Sequence, residues 1–180
     1  MKTILMAIAI AVTPPNGEVS QKRIERAQRN APHIAAAALE HDIPPLLLVA
    51  IIHKESSFRR RVRGLRGEIG LMQLLRTGGC IPERLPTRKA IVPRTNIMLG
   101  AKCLARYIKR CGSISAGLSR YNGRGCTTKT EYSDKVTRRW KELELWVSLV
   151  ARASPLEAAG TPDLHTADAD NSSTAVLSSR

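Results

Sequence analysis

The strongest constraint in this chain is a run with no polar face. From Pro44 to Ile52 the sequence reads Pro-Pro-Leu-Leu-Leu-Val-Ala-Ile-Ile, and only then turns polar at His53-Lys54-Glu55-Ser56-Ser57, before Phe58. A helix apolar on every side is normally buried, so this run predicts a rod through the middle of a helical domain, with Glu55 at its exit where core meets cleft. A carboxyl group there is partly stripped of water, and the negative end of the helix dipole also disfavours its charged form. The expected upward pKa shift suits a general acid working near neutral pH. Taken alone, a glutamate at a helix end is more often an ordinary solvated residue.

The surroundings of Glu55 change that balance. Gly70-Leu71-Met72-Gln73 follows, then Asn96 to Gly100, and then Ser119-Arg120-Tyr121-Asn122-Gly123. The ordered series Glu-Ser-Ser-Phe, Gly-Leu-Met-Gln, Asn96 to Gly100 and Tyr-Asn-Gly resembles the soluble lytic transglycosylase family, relatives of goose-type lysozyme. The resemblance covers roughly residues 20 to 140, and the whole series in order is far more specific than any one motif.

The resemblance implies a mainly α, lysozyme-like helical domain whose buried central helix ends at a catalytic Glu55. It also implies that Ser56, the backbone of Gly70, Leu71 and Met72, and Gln73 line the substrate groove, joined by Tyr121 and Asn122. The implied reaction is cleavage of the β-1,4 bond between N-acetylmuramic acid and N-acetylglucosamine in peptidoglycan, leaving a 1,6-anhydromuramoyl end, with no cofactor and no metal. Arg120 and Arg124 depart from the family pattern, which commonly has small residues around Tyr-Asn, and they bear on substrate detail.

Two other readings of the same residues stay open. One is a hydrolase of the same glycan, which usually needs a second carboxyl group; Glu68 and Asp134 are the nearest by motif position. The other is a catalytically silent wall-binding protein. Ser56 and Ser57 lack the His and Asp of a nucleophilic triad.

Charge points to a polyanionic partner. The formal net charge is +14, and the last thirty residues, with two arginines and four acidic residues, contribute none of the excess. Such a body is drawn to nucleic acid, an anionic membrane face or a cell wall. The cluster Arg59-Arg60-Arg61-Val62-Arg63-Gly64-Leu65-Arg66 reads first as a solvated basic loop and second as a wall-binding rim. Aromatics make up only 3% of the chain, which leaves few rings to stack bases, and no zinc-finger or recognition-helix pattern is present. Glycan strands are therefore the expected partner, not nucleic acid, with the protein a monomer.

The four cysteines, Cys80, Cys103, Cys111 and Cys126, have no metal-ligand spacing, so two disulfides in an oxidising compartment are expected. If Cys103 and Cys111 share a helix they lie about 12 Å apart, too far to bridge. That leaves Cys80–Cys103 with Cys111–Cys126, or Cys80–Cys111 with Cys103–Cys126. Four reduced, structural thiols are the alternative.

Along the chain, residues 1–19 read as an export signal or a flexible N-terminus, residues 20–150 as the lysozyme-like domain, and residues 151–180 as a disordered tail. The N-terminal apolar run is too short to span a bilayer, and the expected location is the periplasm or cell envelope, or outside the cell. Ile24, Ala27, Ala31, Ile34, Ala35, Ala38 and Leu39 predict one helical face, which Pro32 kinks or splits. Thr95 is expected to cap a helix ended by Gly112, and Ser113 to cap a shorter one carrying Tyr121 and Asn122. Val136, Trp140, Leu143, Val147 and Val150 predict a last helix closing over the domain.

Overall fold

The structure, a computed structural model, describes residues 2–12 and 21–153. Among them are eight helices: α1 (Lys2–Val12), α2 (Gln21–Gln28), α3 (Ala31–His41), α4 (Pro45–Ser56), α5 (Thr87–Ala90), α6 (Pro93–Cys111), α7 (Ile114–Tyr121) and α8 (Glu131–Ala153). The only strand-like pairing in this part of the chain is two isolated antiparallel bridges, Arg63 with Ile69 and Ile69 with Leu74. The protein is mainly α, as the helical periodicities predict.

The apolar run forms α4, and every residue from Leu46 to Ile52 is buried. Helices α1, α3 and α8 pack around it. Each Leu, Ile or Val so buried contributes about 1.5–3 kcal/mol relative to exposure, so this rod supplies much of the core's cohesion. Pro45 opens the helix, where a missing amide costs little, and Ser57 ends it in the left-handed region at φ 48°, donating its N–H to His53 O. Phe58 is left-handed as well, at φ 59°, and almost fully buried. Two successive non-glycine residues in this region cost roughly 1–2 kcal/mol each, and burial of the phenylalanine ring offsets that cost. The chain therefore turns sharply just beyond Glu55.

The face predicted from Ile24 to Leu39 is split into α2 and α3. The break falls at Arg29-Asn30, and Pro32 sits inside the first turn of α3, where it is tolerated. Ala31, Ile34, Ala37 and Ala38 form the buried face of α3, whereas Leu39 is 87% exposed, since one residue beyond Ala38 lies about 100° further round the helix. Helix α6 begins at Pro93, two residues before Thr95, because proline presets the first helical turn. Gly112 ends it in the left-handed conformation, and Ser113 Oγ accepts from Ala116 N at the start of α7. At the start of α8, Thr130 and Ser133 exchange backbone and hydroxyl hydrogen bonds, and Thr130 Oγ1 also meets Ser119 Oγ at 2.9 Å. This reciprocal cap ties α8 to α7. Val136 and Leu143 lie in the core, and Trp140 and Val147 pack against it.

The N-terminal apolar segment forms α1, with Ile4, Ala7, Ile8 and Ala11 buried. Arg139 Nη2 donates to its Ile10 O at 3.1 Å. The packed body thus includes this segment as well as the predicted 20–150 domain. Residues 13–20 and the tail beyond Ala153 lie outside the described residues. No described helix is long and apolar enough to cross a membrane.

The cysteines pair as Cys80–Cys103 and Cys111–Cys126. Both bridges anchor irregular segments to α6. That helix also meets α7 closely: a Cβ on Gly117 would lie 2.9 Å from Ile108 Cα and N. Since backbone cannot yield as a flexible side chain can, Gly117→Ala is expected to force the two helices apart and lower unfolding free energy by about 1–3 kcal/mol, measured by urea denaturation. An unchanged midpoint would contradict this packing.

Candidate active site

Glu55 sits on the last turn of α4, half-buried, where the rod emerges beneath a cleft of about 610 Å³. A second hollow of about 570 Å³ lies beside it, and Glu55 and Asn122 line both. The carboxyl group therefore stands at the junction of a groove extending to either side. The first hollow is walled by the 64–68 loop, Gln73 to Gly78, Tyr107 and the Arg120–Gly123 turn. The second is walled by Lys54, Arg124 and the start of α8.

One oxygen of Glu55 is held: Tyr132 Oη donates to Oε1 at 2.5 Å. Burial raises the Glu55 pKa above the ordinary glutamate value, and Glu68 nearby pushes the same way. The Tyr132 bond and the charge of Lys54 work in the opposite direction but do not cancel the burial. Burial, with the Glu55 charge, also pushes the phenols of Tyr121 and Tyr132 well above their usual value. Both tyrosines stay protonated as donors over the whole range in which Glu55 titrates.

Tyr132 carries this bond without having been predicted. Its signal was available: it stands four residues before Val136, extending the predicted α8 stripe back by one turn to a residue with a polar tip.

The other expected residues divide into two groups. Gln73, Tyr121 and Asn122 line the cleft with Glu55. Ser56, Gly70, Leu71 and Met72 do not, and act behind it. Ser56 is buried and its hydroxyl donates to Ile52 O, within its own helix. Leu71 and Met72 are fully buried. The Met72 backbone is fully engaged, its N–H donating to Asn96 Oδ1 at 2.8 Å and its carbonyl accepting from Tyr121 Oη at 2.7 Å. Gln73, at φ 46°, spends its amide on the loop, with Nε2 donating to Val62 O and Gly70 O. Asn122 alone among these presents a side-chain amide with no hydrogen-bond partner among the described residues.

Asn96 ties the motifs together in space. It is completely buried, and its Nδ2 donates to Ile69 O and Ala90 O while its Oδ1 accepts from Met72 N. Gly70 leaves it room, since a Cβ there would press on Asn96, and Gly100 does the same for Met72, with which a Cβ would collide. The loop carrying Gln73 is thus clamped to α6 on one side and to Tyr121 on the other.

The two further carboxylate candidates differ in place. Glu68 lines the first hollow, but its oxygens accept from Arg66 N and Nε at 2.9 Å. Although burial acts to raise its pKa, its own amide and those Arg66 bonds hold it below the ordinary value. Asp134 lies along a separate groove on α8 with Thr137, Arg138 and Lys141. No cluster of His, Cys, Asp and Glu able to hold a metal occurs among the described residues.

Comparison with known proteins places this geometry in context. Residues 32–143 match the model of the transglycosylase SLT domain family. Over 90 residues, half of the chain, it is 31% identical to the transglycosylase of Enterobacteria phage PRD1, and the match covers 33% of that relative's length.

Two measurements test the site. Because the Tyr132 bond favours the charged carboxylate, Tyr132→Phe is expected to move the Glu55 titration midpoint upward in carbon-detected NMR; no movement would mean the bond is not formed in solution. A raised folded-state pKa also means that Glu55 costs stability as pH rises from about 4.3, the unfolded value, through the folded one. Glu55→Gln is therefore expected to melt higher than the parent at pH 7 and to match it below about pH 4, as followed by calorimetry; a lower melting temperature at pH 7 would contradict the burial.

Proposed function

Because the chain belongs to the transglycosylase SLT domain family, we propose that it cleaves the β-1,4 bond between N-acetylmuramic acid and N-acetylglucosamine in peptidoglycan, outside the cytoplasm, with Glu55 as both general acid and general base. The observation that carries this reading is a single half-dry carboxyl group at the junction of two hollows, with no second unpaired carboxylate lining them among the described residues.

Protonated Glu55 donates to the glycosidic oxygen, and the bond breaks through an oxocarbenium-like state. The carboxylate so formed takes the proton of the muramoyl C6 hydroxyl, whose oxygen closes on the anomeric carbon to give the 1,6-anhydro end. Closure within one sugar has a high effective molarity and requires no activated water. Burial favours the proton on Glu55 for the first half, and the Tyr132 hydroxyl eases its loss. The free Asn122 amide is placed to hold the sugar at the junction, while Tyr121 keeps the Met72 carbonyl and the adjoining loop in register.

Hydrolysis of the same bond is the weaker reading on specific grounds. Glu68 is committed to Arg66, and Asp134 faces another groove, so neither is free to activate water or to form a covalent intermediate. The two disulfides suit an oxidising compartment, where a wall substrate is met.

Digestion of purified sacculi followed by mass spectrometry of the released muropeptides is expected to show anhydromuramoyl ends. Glu55→Gln is expected to lower their yield at least 10²–10⁴-fold, the range for loss of a general acid–base group. Reducing ends would favour the hydrolase, and an unaffected variant would favour a silent binding protein.

A further inference from the structure

Three cations in or beside the cleft are already satisfied. Arg66 pairs with Glu68, Arg106 donates to Gly79 O and Cys103 Sγ, and Lys135 pairs with Glu131. Arg120 differs. It lies on the last turn of α7, half-buried in the wall of the first hollow, and its guanidinium has no ion pair or hydrogen bond among the described residues. Its guanidinium carbon lies over the ring of Tyr107, 5.8 Å from the ring centre.

That contact gives the cation a defined place. Tyr107 Oη donates to Gly78 O at 2.9 Å, and the Cys80–Cys103 bridge holds the Gly78–Cys80 segment to α6. Arg106 meets the same ring at 5.3 Å and is itself tied to Gly79 O. Tyr107 and Arg120 line the first hollow only, not the one shared with Lys54 and Arg124. Stacking on an aromatic ring orients a guanidinium and removes part of its freedom while leaving its planar fork of donors open. Such a fork is matched by a carboxylate, which it can bind through two parallel hydrogen bonds.

We propose that Arg120, set by Tyr107, is a specificity residue that binds the carboxylate carried on the 3-substituent of a muramoyl residue in the first hollow. The proposal rests on the glycan reading above and deepens it: the groove recognises the acidic side group of the strand as well as its sugar backbone. Two sources supply that chemistry, the lactyl carboxylate of a peptide-free strand and the carboxylates of an attached peptide. Selection against uncharged β-1,4 glycans follows, since an unpaired guanidinium gains nothing from them.

Binding, not turnover, gives the cleanest test. Calorimetry on Glu55→Gln and on the double variant Glu55→Gln, Arg120→Gln would use three soluble tetrasaccharides: muramoyl-containing with peptide, muramoyl-containing without peptide, and chitotetraose. The second substitution is expected to weaken one or both anionic ligands about tenfold, as loss of one charge-assisted pair implies, and chitotetraose less than twofold. Arg120→Lys should recover only part of the loss, because a point charge lacks the fork. Equal weakening of all three ligands, no weakening, or no binding of anionic glycan by either protein would overturn the proposal. Cleavage of sacculi by the parent, measured separately, decides the catalytic reading independently of these affinities.

Discussion

A carboxyl group at the end of an apolar rod is subject to two opposed demands. Burial at the exit of α4 favours its proton, and the 2.5 Å bond from Tyr132 favours its charge. In the proposed mechanism the group first gives up a proton and then takes one back, and for that it needs both influences, because either alone would hold it in one state. The rest of the structure maintains that balance. Helices α1, α3 and α8 keep α4 dry, and the left-handed turn at Ser57-Phe58 ends the rod just beyond the carboxyl group, before the 64–68 loop returns to wall the cleft. The first turn of α8, capped on Thr130 and Ser133, brings Tyr132 into contact.

The cleft wall is built with little regular structure, so its rigidity comes from specific side chains. Asn96 supplies three hydrogen bonds from a fully dry position. Tyr121 grips Met72 O, and Gln73 grips Val62 O and Gly70 O. A buried amide or phenol that lost its partner would cost about 1–3 kcal/mol, so these bonds hold the loop in one arrangement. The disulfides act at the same boundary, fixing the Cys80 segment and the turn beyond Tyr121 to α6. Ser56, Leu71 and Met72, which the family series assigns to the groove, are thus buried behind the cleft lining.

Legibility followed the strength of the local signal. The rod, the Gly112 end, the Ser113 cap and the α8 stripe were readable because each depends on neighbouring residues: apolar continuity, a left-handed glycine, a hydroxyl before a helix. Glu55 was readable because its position follows from the rod. Ser56, Leu71 and Met72 were assigned to the groove by the family series, and their burial could not be seen without knowing how the 59–74 segment folds back on α6. Tyr132 was missed because its partner lies 77 residues away. The N-terminal apolar run was ambiguous for another reason, since a short greasy helix looks alike to an export apparatus and to a core.

The most direct test of the account is a crystal structure of Glu55→Gln with a bound muramoyl tetrasaccharide. The account predicts a strand running through both hollows, with a bridging glycosidic oxygen within about 3 Å of the residue 55 side chain and the Asn122 amide on the adjoining sugar. A strand seated elsewhere on the molecule, or one crossing the cleft with its glycosidic oxygens out of reach of residue 55, would contradict it.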